Sequence, residues 1–231
     1  MKIFLGLLFS SFLVMNVFSQ EHAKEYRFLE HEAERSLKNA DSLLLYANQI
    51  LKKAEEEKNS IKKGLAYRYL SQAYFMKNDL FQAFNHAEIA INFFKNDKDL
   101  IEEKALCYQI KGKIKLLNDE IELAYENFMQ AQQIIKQVKS FKNPDLPYLL
   151  QNDIAYLYTL SGRFDDALKI LNETLKSTKS DDVLANTYSI FSIVANYNDN
   201  YAESIKYFTL SIPIYERLGK RNAVLICDET E

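Results

Sequence analysis

One short pattern recurs along this chain and constrains its fold more than any other feature. NDLFQA ends at Ala83, NDEIELA at Ala124, SGRFDDA at Ala167 and NDNYAES at Ser204. Each copy is a polar turn, then an aromatic or aliphatic residue, then a small residue. The small residues are spaced by 41, 43 and 37 positions. A degenerate earlier copy, NADSLLLYANQI, sets Leu43 40 residues before Ala83. Periods of this length mark arrays of supersecondary units, each too small to bury its apolar face alone and each stacked on its neighbours.

Each unit reads as helix, turn, helix. In the second, Tyr67, Leu70, Ser71 and Tyr74 recur at steps of three and four on one face. Asn78 and Asp79 interrupt the pattern, and Asp79 is placed to cap the next helix. Leu80, Ala83, Phe84, Ala87 and Ala90 then resume it. Where two antiparallel helices cross closely, large side chains on both would hold the axes apart, so small ones are required. Ser71, Gly112, Ala155 and Ser192 occupy that crossing on the first helix; Ala83, Ala124, Ala167 and Ser204 occupy it on the second. Composition agrees. Only 5 Gly and 3 Pro occur in 231 residues. That is too few for the corners of a β-sandwich or the glycine loops of a nucleotide-binding α/β fold. With hydrophobic residues at 48% and charged ones at 26%, the chain is also too apolar to be disordered. An all-α fold with tight connections follows.

The pattern resembles the tetratricopeptide repeat (TPR), an aromatic, Leu-Gly, Tyr, then Ala, Phe and Ala. The best matches are AYRYLSQAYFMKNDLFQAFNHAEIA and QNDIAYLYTLSGRFDDALKILNETL. In the latter Ile154, Ala155, Tyr158, Gly162, Phe164, Ala167 and Leu171 fall on motif positions. The unit from Tyr108 keeps Gly112, Ala124, Phe128 and Ala131. It departs at Lys111 and Lys115, which suggests a first helix shifted by one residue. The unit from Tyr188 keeps Phe191, Ser192, Tyr201 and Phe208 but has Ala195 at the Tyr position. The resemblance spans roughly residues 24 to 217, and the period exceeds the usual 34, as in the extended repeats of bacterial signalling proteins. It implies a right-handed α-solenoid of five helix pairs, at 24–57, 61–97, 99–139, 145–178 and 181–217. Ser140 to Pro147 reads as an exposed inter-repeat loop. Pro213 is expected to kink the last helix or end it early.

Residues 1–19 read as a signal peptide. Lys2 supplies the positive start, Ile3 to Val14 the apolar run, and Val17 and Ser19 the small positions before a cut at Gln20. The run is short for a membrane span, and no Cys stands at the cut to carry a lipid. The mature chain is therefore expected to be periplasmic or secreted. The membrane would enter only if the leader stayed uncleaved or the chain were a fragment. Net charge is −3, with both signs interspersed. The run Glu55 to Lys58 fits a solvated helix face. No basic stripe offers itself to nucleic acid. Cys107 and Cys227 lie outside any metal-spaced cluster, and Cys107 reads as a small buried side chain.

Catalytic motifs are missing from the sequence: no GxSxG, HExxH, P-loop or GxGxxG occurs. His22 and His31 lie among glutamates near the mature start, and His86 has no Cys or His at ligand spacing. Asp165, Asp166, Asp181 and Asp182 begin helices, where they oppose the dipole. The reading is a non-enzyme without cofactor, metal or small-molecule substrate. The resemblance places binding on a concave face lined by first helices. One residue beyond each aromatic position lie Arg68, Gln109, Asn152 and Ser189; five beyond lie Gln72, Lys113, Tyr156 and Ile193. This row would hydrogen-bond an extended peptide or a partner helix, with Tyr156 as anchor, or else be a solvated surface. Ile110, Leu149 and Asp153 break the family's grip on a C-terminal carboxylate, which Arg68 and Gln72 match only loosely. Residues 218–231, with Val224, Leu225 and Ile226, begin an incomplete repeat. Three readings stand for them: a fragment of a longer chain, an end paired with another molecule, or a docked stub. Two functions follow, an exported scaffold for a protein or peptide, or the sensory segment of a membrane-bound histidine kinase or helix-turn-helix regulator.

Overall fold

A computed structural model of the chain describes residues 23–95 and 98–219. Residues 1–19, expected to be a leader, His22, and the segment 220–231 with Cys227 lie outside the described residues. Among the described residues all regular structure is helical. The chain divides into two compact units, Met1–Asn96 and Asp97–Glu231. The first holds α1 (23–35), α2 (Ala40–Glu56), α3 (Ser60–Met76) and α4 (Leu80–Phe93). The second opens on a 3-10 turn (Lys98–Leu100). It continues through α5 (Ile101–Leu117), α6 (Ile121–Ile135), α7 (Leu146–Leu160), α8 (Phe164–Ser177), α9 (Asp181–Tyr197) and α10 (Tyr201–Arg217).

The hairpin turns explain how so few glycines suffice. Asn78, Asp119, Gly162 and Asp199 all sit at left-handed φ, between 56° and 70°. The next residue then donates its N–H to a carbonyl five positions back: Asp79 to Tyr74 (2.9 Å), Glu120 to Lys115 (2.9 Å), Arg163 to Tyr158 (2.8 Å) and Asn200 to Ala195 (2.8 Å). This closes each first helix with a Schellman bond. Asn and Asp tolerate the left-handed region better than other non-glycine residues, so one glycine serves four turns. The following helix starts at once. The Asp79 carboxylate accepts from the Gln82 N–H (3.1 Å) and the Asn200 side chain from the Glu203 N–H (3.3 Å), satisfying otherwise orphaned donors. Asn39 and Asn59 cap α2 and α3 in the same way.

The crossings are as tight as their small residues require. Ser71 Oγ donates to the Ala83 carbonyl across α3 and α4 (2.8 Å). Ser192 and Ser204 face each other across α9 and α10, their oxygens 3.0 Å apart. Ala124, Ala155 and Ala167 have no exposed surface. Gly112 meets the ring of the fully buried Phe128, which a Cβ would approach to 2.5 Å. With Gly112 at the crossing, α5 is in register and the one-residue shift expected from Lys111 and Lys115 does not occur. Lys111 lies over the Tyr108 ring, 5.3 Å from its centroid, and Lys115 pairs with Glu120 at 2.8 Å. Gly64 meets α4, since a Cβ there would come within 2.7 Å of Phe93 and Phe94. Pro213 lies inside α10 without ending it, for the helix runs on to Arg217. Cys107 is fully buried.

Candidate functional site

The residues expected to line a groove fall into two sets. Of those one position beyond the aromatic frame, Arg68, Gln109 and Asn152 point into the seams between neighbouring first helices and are paired there. In the first unit Arg68 is only 4% exposed. Its Nη2 donates to Glu34 Oε1 of α1 at 2.9 Å, and its guanidinium stacks on the Tyr69 ring 3.8 Å away. In the second unit Gln109 of α5 is buried and donates to Asp153 Oδ2 of α7 (2.6 Å). Asn152 of α7 has no exposed surface. Its Nδ2 donates to Asn186 Oδ1 (2.9 Å) and Thr187 Oγ1 (3.0 Å) of α9. Ser189, half-buried, donates to the Ala185 carbonyl (3.1 Å) and lies 3.2 Å from the Tyr215 hydroxyl of α10. The expected open row is therefore corrected at Arg68, Gln109 and Asn152. First helices nest side by side, and these positions fill the space between them.

The second set, one helical turn further on, stays at the surface. Gln72 in the first unit and Lys113, Tyr156 and Ile193 in the second are all half-buried. Lys113 Nζ pairs with Asp153 Oδ1 at 3.2 Å. Asp153 is held above the usual carboxylate range by burial, against the pull of Lys113 and Gln109. The Tyr156 phenol is pushed up by burial first, then by Tyr197 and Asp119.

Four residues on, the same faces carry a row that the sequence reading missed. Leu117 (60% exposed), Leu160 (half-buried) and Tyr197 (54% exposed) end α5, α7 and α9. Residues four apart share a helix face, so Leu117 adjoins Lys113, Leu160 adjoins Tyr156 and Tyr197 adjoins Ile193. Three neighbouring helix ends thus present large apolar side chains, of which Leu117 and Tyr197 are left exposed and Leu160 is half-buried against the core. The signal was available in the sequence, since adding four to each groove position reaches this row.

Among the described residues no group of three or more His, Cys, Asp or Glu converges. His31 meets only its neighbour Glu32 at 3.2 Å, in an exposed position. His86 lies between the rings of Tyr67 and Tyr74, with centroids 5.6 and 5.2 Å away. Among the described residues no helix is long and apolar enough to cross a membrane.

No known family profile matches the sequence, and no curated protein does. Solved structures do match. A point-variant form of a Podosopora anserina kinesin light chain with nearly identical TPR-like repeats aligns over 86% of this chain and 98% of its own, at 15% identity and a TM-score of 0.59. Its parent form aligns over 84% and 96%, at 14% identity and 0.57. BtubC (BKLC) from P. vanneervenii aligns over 87% and 92%, at 13% identity and 0.54. At such identities the likeness is one of fold. The chain thus shares the all-α, TPR-like helix-pair fold of these structures.

Proposed function

We propose that this protein is a non-catalytic interaction module that takes a segment of a partner protein across the first-helix ends of its second unit. One observation carries the reading. Leu117, Leu160 and Tyr197, beside Tyr156 and Ile193, form an apolar row on α5, α7 and α9, whereas the polar positions one and two turns earlier are paired within the fold. Aromatic and aliphatic side chains at the surface, rimmed by Lys113 and Asp119, have the make-up of a recognition face. A partner helix or extended strand presenting apolar residues at matching steps fits it. The leader-like sequence of residues 1–19 is the ground for placing this activity outside the cytoplasm.

A photoreactive amino acid at position 197, compared with one at the exposed Lys169 of α8, tests the face in the native host. A partner adduct at 197 and none at 169, lost when Tyr156→Ala is added, is the expected result. Equal labelling at both positions, or labelling indifferent to Tyr156→Ala, would sink the proposal. Export has its own check. The mature protein should begin at Gln20 by mass, and an intact leader on the cell-associated protein would refute cleavage.

A further inference from the structure

A second site lies elsewhere in the second unit, where α6 hands over to α7. Most links between helices here are short; α8 reaches α9 through Thr178, Lys179 and Ser180 alone. The link from α6 to α7 runs from Lys136 to Asp145. Beside this longer loop lies a cavity of about 240 Å³. Phe141, Pro147 and the fully buried Leu150 form its apolar walls. Gln132, Lys136 and Gln151 supply its polar atoms.

Two features make this a formed site. The loop is pinned. Both carboxylate oxygens of the buried Glu102 accept backbone N–H groups from it, Lys142 at 2.9 Å and Asn143 at 2.8 Å. The Asn143 side chain in turn accepts from the Asp145 N–H at 3.0 Å. The polar atoms are donors in waiting. Gln151 uses its oxygen to accept from Thr174 Oγ1 (3.0 Å), which leaves its amide N–H₂ to donate. Among the described residues neither Gln132 nor Lys136 has a polar side-chain partner, and Lys136 is the one charged residue lining the cavity. Glu102 stands nearby, but its charge is taken up by the loop's own N–H groups.

We propose that this cavity binds a carboxylate on a short apolar body. The body would sit against Phe141, Pro147 and Leu150, and the carboxylate would meet Lys136 and the amides of Gln132 and Gln151. At roughly 30 Å³ per water the space suits a body of about eight non-hydrogen atoms. Two sources share this chemistry, a free aryl- or alkyl-acid and the terminal residue of a peptide. A ligand of that size, held by one exposed ammonium and two amides, should bind in about the millimolar range.

Titration of the full chain with phenylacetate, followed by NMR of the Leu150 methyls and the glutamine side-chain amides, tests the site. Saturable shifts at Leu150, Gln132 and Gln151 are expected, with phenylacetate binding roughly tenfold tighter than neutral phenylacetamide, as one charged hydrogen bond allows. Lys136→Met should bring the two to equal affinity, and Gln132→Phe, which fills the cavity, should abolish both. A peptide ending in Phe with a free carboxylate, compared with its C-terminal amide, separates the sources. Tighter binding than phenylacetate assigns the peptide end; weaker binding assigns the free acid. Equal affinity for acid and amide, indifference to Lys136→Met, or shifts confined to Tyr156 and Tyr197 would overturn the proposal. The first-helix face would stand or fall separately, because none of its residues lines this cavity.

Discussion

At the scale of single residues, the same apparent chemistry has different consequences according to what surrounds it. In the sequence His86 stands without a Cys or His at ligand spacing. In the fold it is clasped by Tyr67 and Tyr74, and its Nδ1 is buried without a hydrogen-bond partner. Burial pushes its pKa below the ordinary value of 6.5, with Asp79 pulling weakly the other way. The folded state therefore prefers the neutral ring. This contribution to stability is complete above pH 6.5 and is lost as the pH falls through that value toward the lower folded one. His86→Phe keeps the ring stack and removes the titration. Thermal melts of the two proteins should diverge in pH dependence between about pH 7.5 and 5, the variant losing less stability on acidification. Parallel slopes would show that the ring titrates freely. Gly112 behaves differently again. A methyl there meets the Phe128 ring at 2.5 Å, so Gly112→Ala should cost about 1–3 kcal/mol by over-packing, read by urea denaturation. In an open helix the same change would stabilise.

At the scale of helices, the neighbour that packs on an element decides which of its faces is buried. By the 37-residue step from Ala167 to Ser204, Ile205 of α10 corresponds to Leu168 of α8. Leu168 is half-buried and packs on the cluster of Ala155, Leu171 and Phe191, whereas Ile205 is 66% exposed. Leu168→Lys is accordingly expected to destabilise by about 2–4 kcal/mol, and Ile205→Lys by no more than about 0.5 kcal/mol. Equal losses in urea melts would mean that something covers α10. Much of this level was legible in advance. Turn residues, capping by Asp79 and the small residues at the crossings are local signals, all contained within one repeat. The fate of Pro213 was not local. Its ring removes one backbone donor, yet packing of Ser211, Ile214 and Tyr215, all buried on α10, holds the helix together beyond it.

At the scale of the whole chain, a repeat pattern is easier to read than a binding face, for a physical reason. The helix pair is encoded by spacing within about 40 residues, so it survives even where 13–15% identity joins this chain to its structural neighbours. A seam belongs to two repeats at once. Nothing within one repeat distinguishes Asn152, which faces α9, from Tyr156, one turn further along the same helix, until the neighbouring first helix is in place. The two positions should separate experimentally. Asn152→Ala removes the partner of Asn186 and Thr187 in a buried seam, and should cost about 1–3 kcal/mol. In an array held together by nearest-neighbour contacts, that loss should also broaden unfolding as α7 and α9 uncouple. Tyr197→Ala, at a 54% exposed position, should leave the urea midpoint within about 0.5 kcal/mol of wild type. If the first-helix ends bind a partner, Tyr197→Ala should weaken capture of that partner and Asn152→Ala should spare it wherever the protein is still folded. Measuring melt and capture on the same two variants separates residues that join the repeats from residues the repeats hold out. Loss of capture with Asn152→Ala alone would move the site back into the seam.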